Sequence, residues 1–114
     1  MAKEQLPLLR GTLDLILLKA LSGGPLHGYG IATWIERHTG GALMVDDSAL
    51  YQGLHRLEGR RLIAGEWGVT DTGRRARFYR LTHRGRTHLD AESAVWQRYA
   101  DLVGGLLSLR ARSG

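Results

Sequence analysis

Arginine is the residue type whose number and spacing most clearly suggest chemistry in this chain. Residues 55–86, called the basic segment below, contain nine arginines and three acidic residues and have a net charge of +6. The rest of the 114-residue chain has a net charge of −1, and the whole chain is at +5. Guanidinium groups pair well with phosphate oxygens, so the basic segment predicts a polyanionic partner. Its arginines are Arg56, Arg60, Arg61, Arg74, Arg75, Arg77, Arg80, Arg84 and Arg86.

Patterns that would indicate catalysis or metal binding are weak. Asp71-Thr72-Gly73 matches the short signature of dimeric aspartic proteases, which need an all-β fold and an apolar setting in which two carboxylates share a proton. Two arginines follow this tripeptide in a helix-rich sequence, so a turn is the better interpretation. The histidines are not spaced like metal ligands, and neither a Walker loop nor a complete dinucleotide motif is present. We therefore expect no enzymatic activity, no cofactor and no metal site.

The composition is that of an ordinary globular domain. Hydrophobic residues make up 43% and charged residues 24% of the chain, whose length suits one domain. The absence of cysteine excludes disulfides, thiolate metal sites and a cysteine nucleophile, and it fits a cytoplasmic location. The longest apolar run, residues 15–18, is far shorter than the roughly 20 residues of a membrane span. The N-terminus does not resemble a signal peptide, so no membrane association is expected.

A first helix is predicted over residues 12–21, where apolar residues recur at helical spacing. Leu15 and Leu18 lie outside the main stripe, so this helix is apolar around most of its circumference. A single small domain covers one side of such a helix, and we expect a second subunit to cover another. Glycines followed by Pro25 predict the end of the helix.

Two further short helices are predicted before residue 60. One runs from residue 28 or 29 to residue 39 and ends at a pair of glycines. His27 and Tyr29 are predicted to be packing residues at the start of this helix. The other follows Asp46, whose carboxylate suits an N-cap, and its outer faces are polar to basic. Its buried stripe is predicted to consist of Leu50, Leu54 and Leu57.

A β-hairpin and a long helix are predicted for the rest of the chain. Strand-forming residues flank a glycine-bounded turn at residues 68–73, and in the second strand Arg75 and Arg77 share a face with Tyr79. The final helix is predicted from Thr82 to about residue 110, and apolar residues recurring every seven positions form a seam suited to pairing with another helix. The dimerisation residues predicted on this seam are Leu89, Trp96, Tyr99, Val103 and Leu106.

This order of elements predicts a mainly α fold with a small β-hairpin. Two short helices followed by a basic hairpin are typical of a winged helix-turn-helix, in which the second helix of the pair enters the major groove of DNA. We expect residues 1–82 to form the winged helix-turn-helix domain and residues 83–114 to form a C-terminal dimerisation helix. The basic segment would then lie on the elements that meet DNA.

Four stretches of the chain resemble the PadR-like family of transcriptional regulators, in particular its small members with a short C-terminal helix. Each stretch alone is weak, but their order and spacing together are fairly specific. They are residues 11–18 (Gly-Thr-Leu-Asp-Leu-Ile-Leu-Leu), 24–31 (Gly-Pro-Leu-His-Gly-Tyr-Gly-Ile), 49–58 (Ala-Leu-Tyr-Gln-Gly-Leu-His-Arg-Leu-Glu) with Leu62-Ile63, and 77–82 (Arg-Phe-Tyr-Arg-Leu-Thr) with Gly85.

The chain departs from the family pattern at two positions. Gln52 stands where the family usually has proline, and Arg61 stands where it usually has glycine before the Leu-Ile that opens the wing. Because arginine does not favour the backbone conformations that glycine permits, we expect a rebuilt turn between the third helix and the wing.

The resemblance implies a homodimer, held by the last helix, that binds a pseudo-palindromic operator in double-stranded DNA as a repressor. It also implies that a planar hydrophobic effector binds between the subunits, for which Trp96 and Tyr99 are the candidate ligand-binding residues. An alternative is a winged-helix module that binds proteins or small molecules without sequence-specific recognition of DNA.

Candidate DNA contacts lie on the third helix and the wing. Glutamine and arginine can form paired hydrogen bonds with adenine and guanine respectively, so Gln52, His55 and Arg56 are the candidates for base contacts. Ser48 and Tyr51 are expected to contact phosphates. Phosphate or minor-groove contacts are also expected from Arg74, Arg75 and Arg77.

Overall fold

Four helices and three strands form the fold in the computed structural model, which describes residues 5–9 and 11–111. The predicted helices and hairpin are confirmed, and α4 ends a few residues before the predicted end. The short strand β1 was not predicted, because two residues are too few to give a periodic pattern. In chain order the elements are α1 (Leu13–Leu21), β1 (Leu26–His27), α2 (Gly28–His38), α3 (Asp47–Gly59), β2 (Ile63–Val69), β3 (Arg75–Leu81) and α4 (His83–Leu107).

The three strands form one antiparallel sheet in the order β1-β3-β2. β2 pairs with β3 from Ile63 opposite Leu81 to Val69 opposite Arg75, and β1 pairs with the middle of β3. Because side chains alternate between the two faces of a strand, Trp67 lies on the same face as Arg75, Arg77 and Tyr79. The wing, residues 63–81, therefore has one face that is aromatic and basic.

The hydrophobic core lies where α1, α2, α3 and the base of the wing meet. The predicted stripe of α3 is confirmed, because Leu50, Leu54 and Leu57 are all buried. Leucines and isoleucines of α1, α2 and β2 complete this cluster. Burying an aliphatic side chain of this size contributes about 2 kcal/mol, so the cluster is the main source of stability for the winged part of the chain.

Local hydrogen bonds place the starts of three helices. The side chains of His27, Asp46 and Thr82 each accept a hydrogen bond from the backbone N–H three residues later, at the starts of α2, α3 and α4 respectively. Such caps satisfy helix donors that would otherwise lack a partner. The predicted caps Asp46 and Thr82 are confirmed.

The turn between α3 and the wing is not rebuilt in the way expected from the arginine at position 61. Arg61 adopts a left-handed conformation with φ of 62°, the region that glycine favours. The N–H of Arg61 donates to the carbonyl of Glu58, and the N–H of Leu62 donates to the carbonyl of Leu57. These bonds form a Schellman motif, so arginine occupies the position that commonly holds glycine.

The first part of α4 belongs to the core of the winged module. Leu89 is only 5% exposed within its own chain, so its placement on a dimer seam is corrected: it packs against this core. Gly85 lies against the backbone of Leu62, at a distance that leaves no space for a side chain. The core thus extends beyond the predicted domain boundary at residue 82. The outer ends of the two predicted domains, 1–82 and 83–114, lie outside the described residues.

The expectation that a second subunit covers the far side of α1 is wrong for Leu18 and stays a prediction for Leu15. Leu18 is buried by its own chain, which corrects that expectation for this residue, whereas Leu15 is half-buried and borders a groove between α1 and α4. In the described part of the chain, no helix is both long and apolar enough to span a membrane.

Candidate nucleic-acid interface

The outer face of α3 is exposed along its whole length. Ser48, Tyr51, Gln52, His55 and Arg56 all lie on this face, as the spacing of the buried leucines predicts. The side-chain N–H of Gln52 donates to the hydroxyl of Ser48 over 3.2 Å, which orients the amide along the helix surface. The face therefore presents several hydrogen-bonding side chains at the spacing of successive helical turns.

Arg56 differs from its neighbours on this face because it is already paired. Its guanidinium donates a hydrogen bond to the carboxylate of Asp14 on α1 over 2.8 Å. The pair connects the exposed side of α3 to α1. The ion pair with Asp14 restrains Arg56, whereas His55 takes part in neither of the described ion pairs and Gln52 carries no charge.

A tight turn forms the tip of the wing and contains the Asp-Thr-Gly tripeptide. The N–H of Thr70 donates to the carbonyl of Arg74, and the N–H of Gly73 donates to the carbonyl of Thr70. Gly73 has φ of 84°, which glycine adopts without steric cost. The turn leaves Arg74 and Arg75 exposed, and neither forms an ion pair with any described residue.

Arg77 lies closer to the base of the wing and is neutralised by a carboxylate. Its guanidinium donates to Glu58 of α3 over 2.6 Å, and this hydrogen bond raises the pKa of Arg77 above its usual value. A side chain at Gly65 would collide with the Arg77 guanidinium, so glycine at that position makes room for it. The ion pair connects the wing to the end of α3.

Trp67 is an exposed aromatic residue on the same face of the wing, and it was not among the predicted site residues. The guanidinium of Arg75 lies 4.7 Å from the centre of the indole ring, and that of Arg77 lies 5.9 Å away. No feature of the sequence distinguishes Trp67 from the other residues of its strand. The cross-strand pairing of β2 with β3 was the signal that could have placed it beside the arginines.

The start of α2 completes a cleft with α3 and the wing. Tyr29 is 76% exposed, which corrects its interpretation as a packing residue, whereas His27 caps α2 and contacts Phe78 edge to face. Burial raises the pKa of Tyr79, which also lines this cleft, above its usual value. The cleft has a volume of about 900 Å³, and its aromatic and basic lining includes Tyr29, Tyr51, Trp67, Arg74, Arg75 and Arg77.

A second concave surface lies between α1 and α4. It has a volume of about 390 Å³ and is lined by Leu15, Trp96 and Tyr99 together with polar groups that include Asp14 and Glu92. Trp96 is 39% exposed and Tyr99 is more exposed. The candidate ligand-binding residues thus border one groove, away from the cleft beside the wing.

Apart from Leu89 in the core, the predicted site residues lie in three places: the outer face of α3 with the cleft beside the wing, the groove between α1 and α4, and the second half of α4. Tyr51 of α3 and the three predicted arginines of the wing line one cleft. Trp96 and Tyr99 lie on α4 beside the second groove. Val103 and Leu106 lie farther along α4, and Leu106 is 69% exposed. No His, Asp or Glu cluster within the described ranges could hold a metal ion.

The chain matches the model of the transcriptional regulator PadR-like family over residues 17–91, which run from the second half of α1 to the first turns of α4. It is 32% identical over 97 residues to a transcriptional regulator of Mycobacterium tuberculosis, an alignment that covers 84% of this chain and 87% of that protein. It is also 26% identical over 96 residues to an uncharacterised protein of Lysinibacillus sphaericus, covering 84% of this chain and 88% of that protein.

Solved structures with the same fold include regulators of this type. A PadR family transcriptional regulator from Eggerthella lenta is 31% identical, with a TM-score of 0.75 and coverage of 89% of this chain and 86% of that one. A transcriptional regulator from Clostridium thermocellum is 27% identical, with a TM-score of 0.77 and coverage of 84% and 93%.

Proposed function

The chain belongs to the PadR-like family of transcriptional regulators, and on that premise we propose that it is a homodimeric repressor that binds a pseudo-palindromic operator in duplex DNA. One observation carries the proposal: Tyr51, on the polar face of α3, and the arginines of the wing line the same cleft. A B-DNA major groove about 12 Å wide admits one helix, and an adjacent wing then meets the flanking backbone.

Each group of residues has a separate role in this proposal. Gln52 and His55 contact base edges, because their side chains are exposed and free of the ion pairs described above. Arg56 joins them with a guanidinium that Asp14 partly restrains. Contacts to phosphates come from the remaining set, which consists of Ser48, Tyr51, Arg74, Arg75 and Arg77.

The homodimer is supported by the exposed apolar side chains of α4. Tyr99, Leu102 and Leu106 are exposed in the single chain, on a helix whose second half extends beyond the core. Contiguous apolar surface of this kind usually marks an interaction site. Pairing of two α4 helices, with residues 83–114 as the dimerisation segment, would place two winged modules on two half-sites.

A planar hydrophobic effector is the proposed ligand of the groove between α1 and α4. The indole of Trp96 and the ring of Tyr99 offer stacking surfaces there, next to the aliphatic side chain of Leu15. A ligand in this groove would contact both α4 and α1, so it could alter how the winged module sits on the dimer.

Duplex binding as a function of salt tests the DNA-binding proposal. The double variant Arg74→Ala with Arg75→Ala is compared with Arg37→Ala with Arg98→Ala, which removes the same charge from exposed positions outside the basic segment. Fluorescence anisotropy is measured on a duplex of the region upstream of the chain's own gene and on a random-sequence duplex. We expect the first variant to bind both duplexes about tenfold more weakly, and the salt dependence to flatten by about one unit per lost phosphate contact.

The outcomes separate the proposed function from its alternative. The matched control should retain both the affinity and the salt slope of the wild type. If the wild type shows no preference for the upstream duplex over the random one, the alternative of a winged module that binds proteins or small molecules is favoured. If both double variants behave alike, the wing is not part of the DNA contact.

A further inference from the structure

Trp67 is a large aromatic side chain left in solvent at the most basic part of the molecule. It is 60% exposed although it lies in the middle of a strand, and the core does not include it. Its ring is covered on one side by the guanidinium of Arg75, 4.7 Å from the ring centre. An arginine at this distance from an indole face is held by a cation–π interaction.

The two arginines beside Trp67 are held by different chemistry. Arg77 is fixed by Glu58, so its positive charge is offset by a carboxylate 2.6 Å away. Arg75 has no carboxylate partner among the described residues and is held by the aromatic ring alone. A ring restricts the guanidinium without cancelling its charge, because the indole carries no net charge. Arg75 therefore keeps its full attraction for a phosphate.

Trp67 also faces the cleft between α3 and the wing, where the proposed DNA contact lies. Its ring lines this cleft together with Tyr51 of α3 and Arg74 of the wing tip. The backbone of duplex DNA alternates charged phosphates with apolar sugar surfaces. A guanidinium next to an exposed indole matches that alternation, because the guanidinium pairs with the phosphate and the indole can pack on the adjacent sugar.

We propose that Trp67 is a DNA-contacting residue that also positions Arg75 on a backbone phosphate. The inference deepens the proposed DNA binding and rests on it. It assigns Trp67 a sequence-independent role, since both the sugar and the phosphate are present at every base pair.

Substitution at Trp67 tests the proposal with a 30-base-pair random-sequence duplex at low salt. Trp67→Leu removes the ring and should weaken binding by about threefold to tenfold, the range expected for one exposed cation–π and packing contact. Trp67→Phe keeps an aromatic face and should stay within about twofold of the wild type. The matched control is Val69→Ala, because Val69 is exposed on the same face of the wing but has no ring for Arg75.

A double-mutant cycle separates positioning of Arg75 from general damage to the wing. In the Arg75→Ala background, Trp67→Leu should cost less than half of its effect in the wild type, because the guanidinium it positions is gone. Equal costs in both backgrounds would overturn the positioning role. A Val69→Ala variant as weak as Trp67→Leu would overturn the specific role of the ring.

Tryptophan emission gives a readout that does not depend on the stability of a weakened variant. Addition of the duplex should change the emission of the wild type, and most of that change should be absent in Trp67→Phe. If the duplex changes the emission of the wild type and of Trp67→Phe by the same amount, the contact is overturned. If Trp67→Leu binds like the wild type while the Arg74 and Arg75 double variant is weak, only the role of Trp67 fails. If that double variant also binds normally, the proposed DNA contact of the wing fails.

Discussion

The winged module and the second half of α4 differ in whether their apolar side chains are buried within the chain. In the winged module the leucines and isoleucines are buried within the chain, and charged residues occupy the surface. In the second half of α4, Leu102, Leu106 and Leu107 are all exposed. The first region buries its core within one chain, whereas the second leaves apolar side chains in solvent, where the proposed pairing of two α4 helices would bury them.

Glycines show the same contrast in backbone packing. Gly85, in the first turn of α4, lies so close to the backbone of Leu62 that a side chain does not fit. Gly104 and Gly105, near the other end of the same helix, have open space around them in the single chain. One helix therefore has a tightly packed start and an unpacked end, and substitutions at the two ends should report on different interactions.

The largest effect is expected where the exposed apolar surface of α4 is made acidic. Val103→Glu with Leu106→Glu would place four carboxylates in a two-fold interface, at a cost of several kcal/mol when they are buried. We expect monomers in sedimentation at micromolar concentration and loss of operator binding. The control Ala94→Glu with Gln97→Glu adds the same charge on the opposite side of the helix and should remain dimeric. A Val103 and Leu106 variant that stays dimeric would contradict the contrast between the two regions.

Gly85→Ala should have the next largest effect, and it acts within one chain. The added methyl group meets the carbonyl of Leu62, so α4 has to move away from the wing at a cost of about 3 kcal/mol. Urea unfolding monitored by circular dichroism measures this loss. Gly59→Ala is the matched control, because nothing lies near the added carbon at that exposed position. Equal stability of the two variants would show that α4 is not packed tightly on the wing.

Arg61→Gly should stabilise the winged module. The left-handed conformation of Arg61 costs about 1–2 kcal/mol in a non-glycine residue, and the greater entropy of unfolded glycine offsets part of that gain. We expect a net increase of about 0.5–1 kcal/mol in the free energy of unfolding, measured in urea. Arg60→Gly removes the same charge one residue earlier, where φ is negative, and should be destabilising. A stability loss from Arg61→Gly would show that its side chain contributes more than its backbone costs.

The smallest effect is expected from Gly104→Ala. Alanine favours helix over glycine by about 0.5–1 kcal/mol, and no atom of the chain obstructs the added methyl group. A rise in the thermal midpoint is therefore expected, measured together with the sedimentation profile. A lower midpoint accompanied by weaker dimerisation would mean that two α4 backbones approach closely at this glycine. The change in stability caused by Gly104→Ala should be opposite in sign to that caused by Gly85→Ala.

The chain's own pattern was sufficient to predict most of the local structure. The helices, the caps Asp46 and Thr82, and the turn at Gly73 depend on residues within a few positions of one another. The burial of the α3 stripe also followed from spacing alone. By contrast, Leu89 was predicted at a seam that its own core occupies, because periodicity indicates an apolar face without identifying what covers it.

The candidate interface was predictable as a set of arginines but not as an arrangement. Arg56 pairs with Asp14, which is 42 residues away, and Arg77 pairs with Glu58, which is 19 residues away. Neither pairing has a signal in local spacing. The exposed position of Tyr29 and the position of Trp67 beside Arg75 depend in the same way on which elements become neighbours.

The sequence by itself determined the elements, their order and the concentration of positive charge between residues 55 and 86, because propensity, capping and charge are local properties. Only the tertiary structure decided which arginines keep a free charge. Glu58 neutralises Arg77, Asp14 holds Arg56, and an uncharged ring holds Arg75. The physical reason is that the charge available to a partner depends on the groups within a few ångströms, and those groups come from distant parts of the chain.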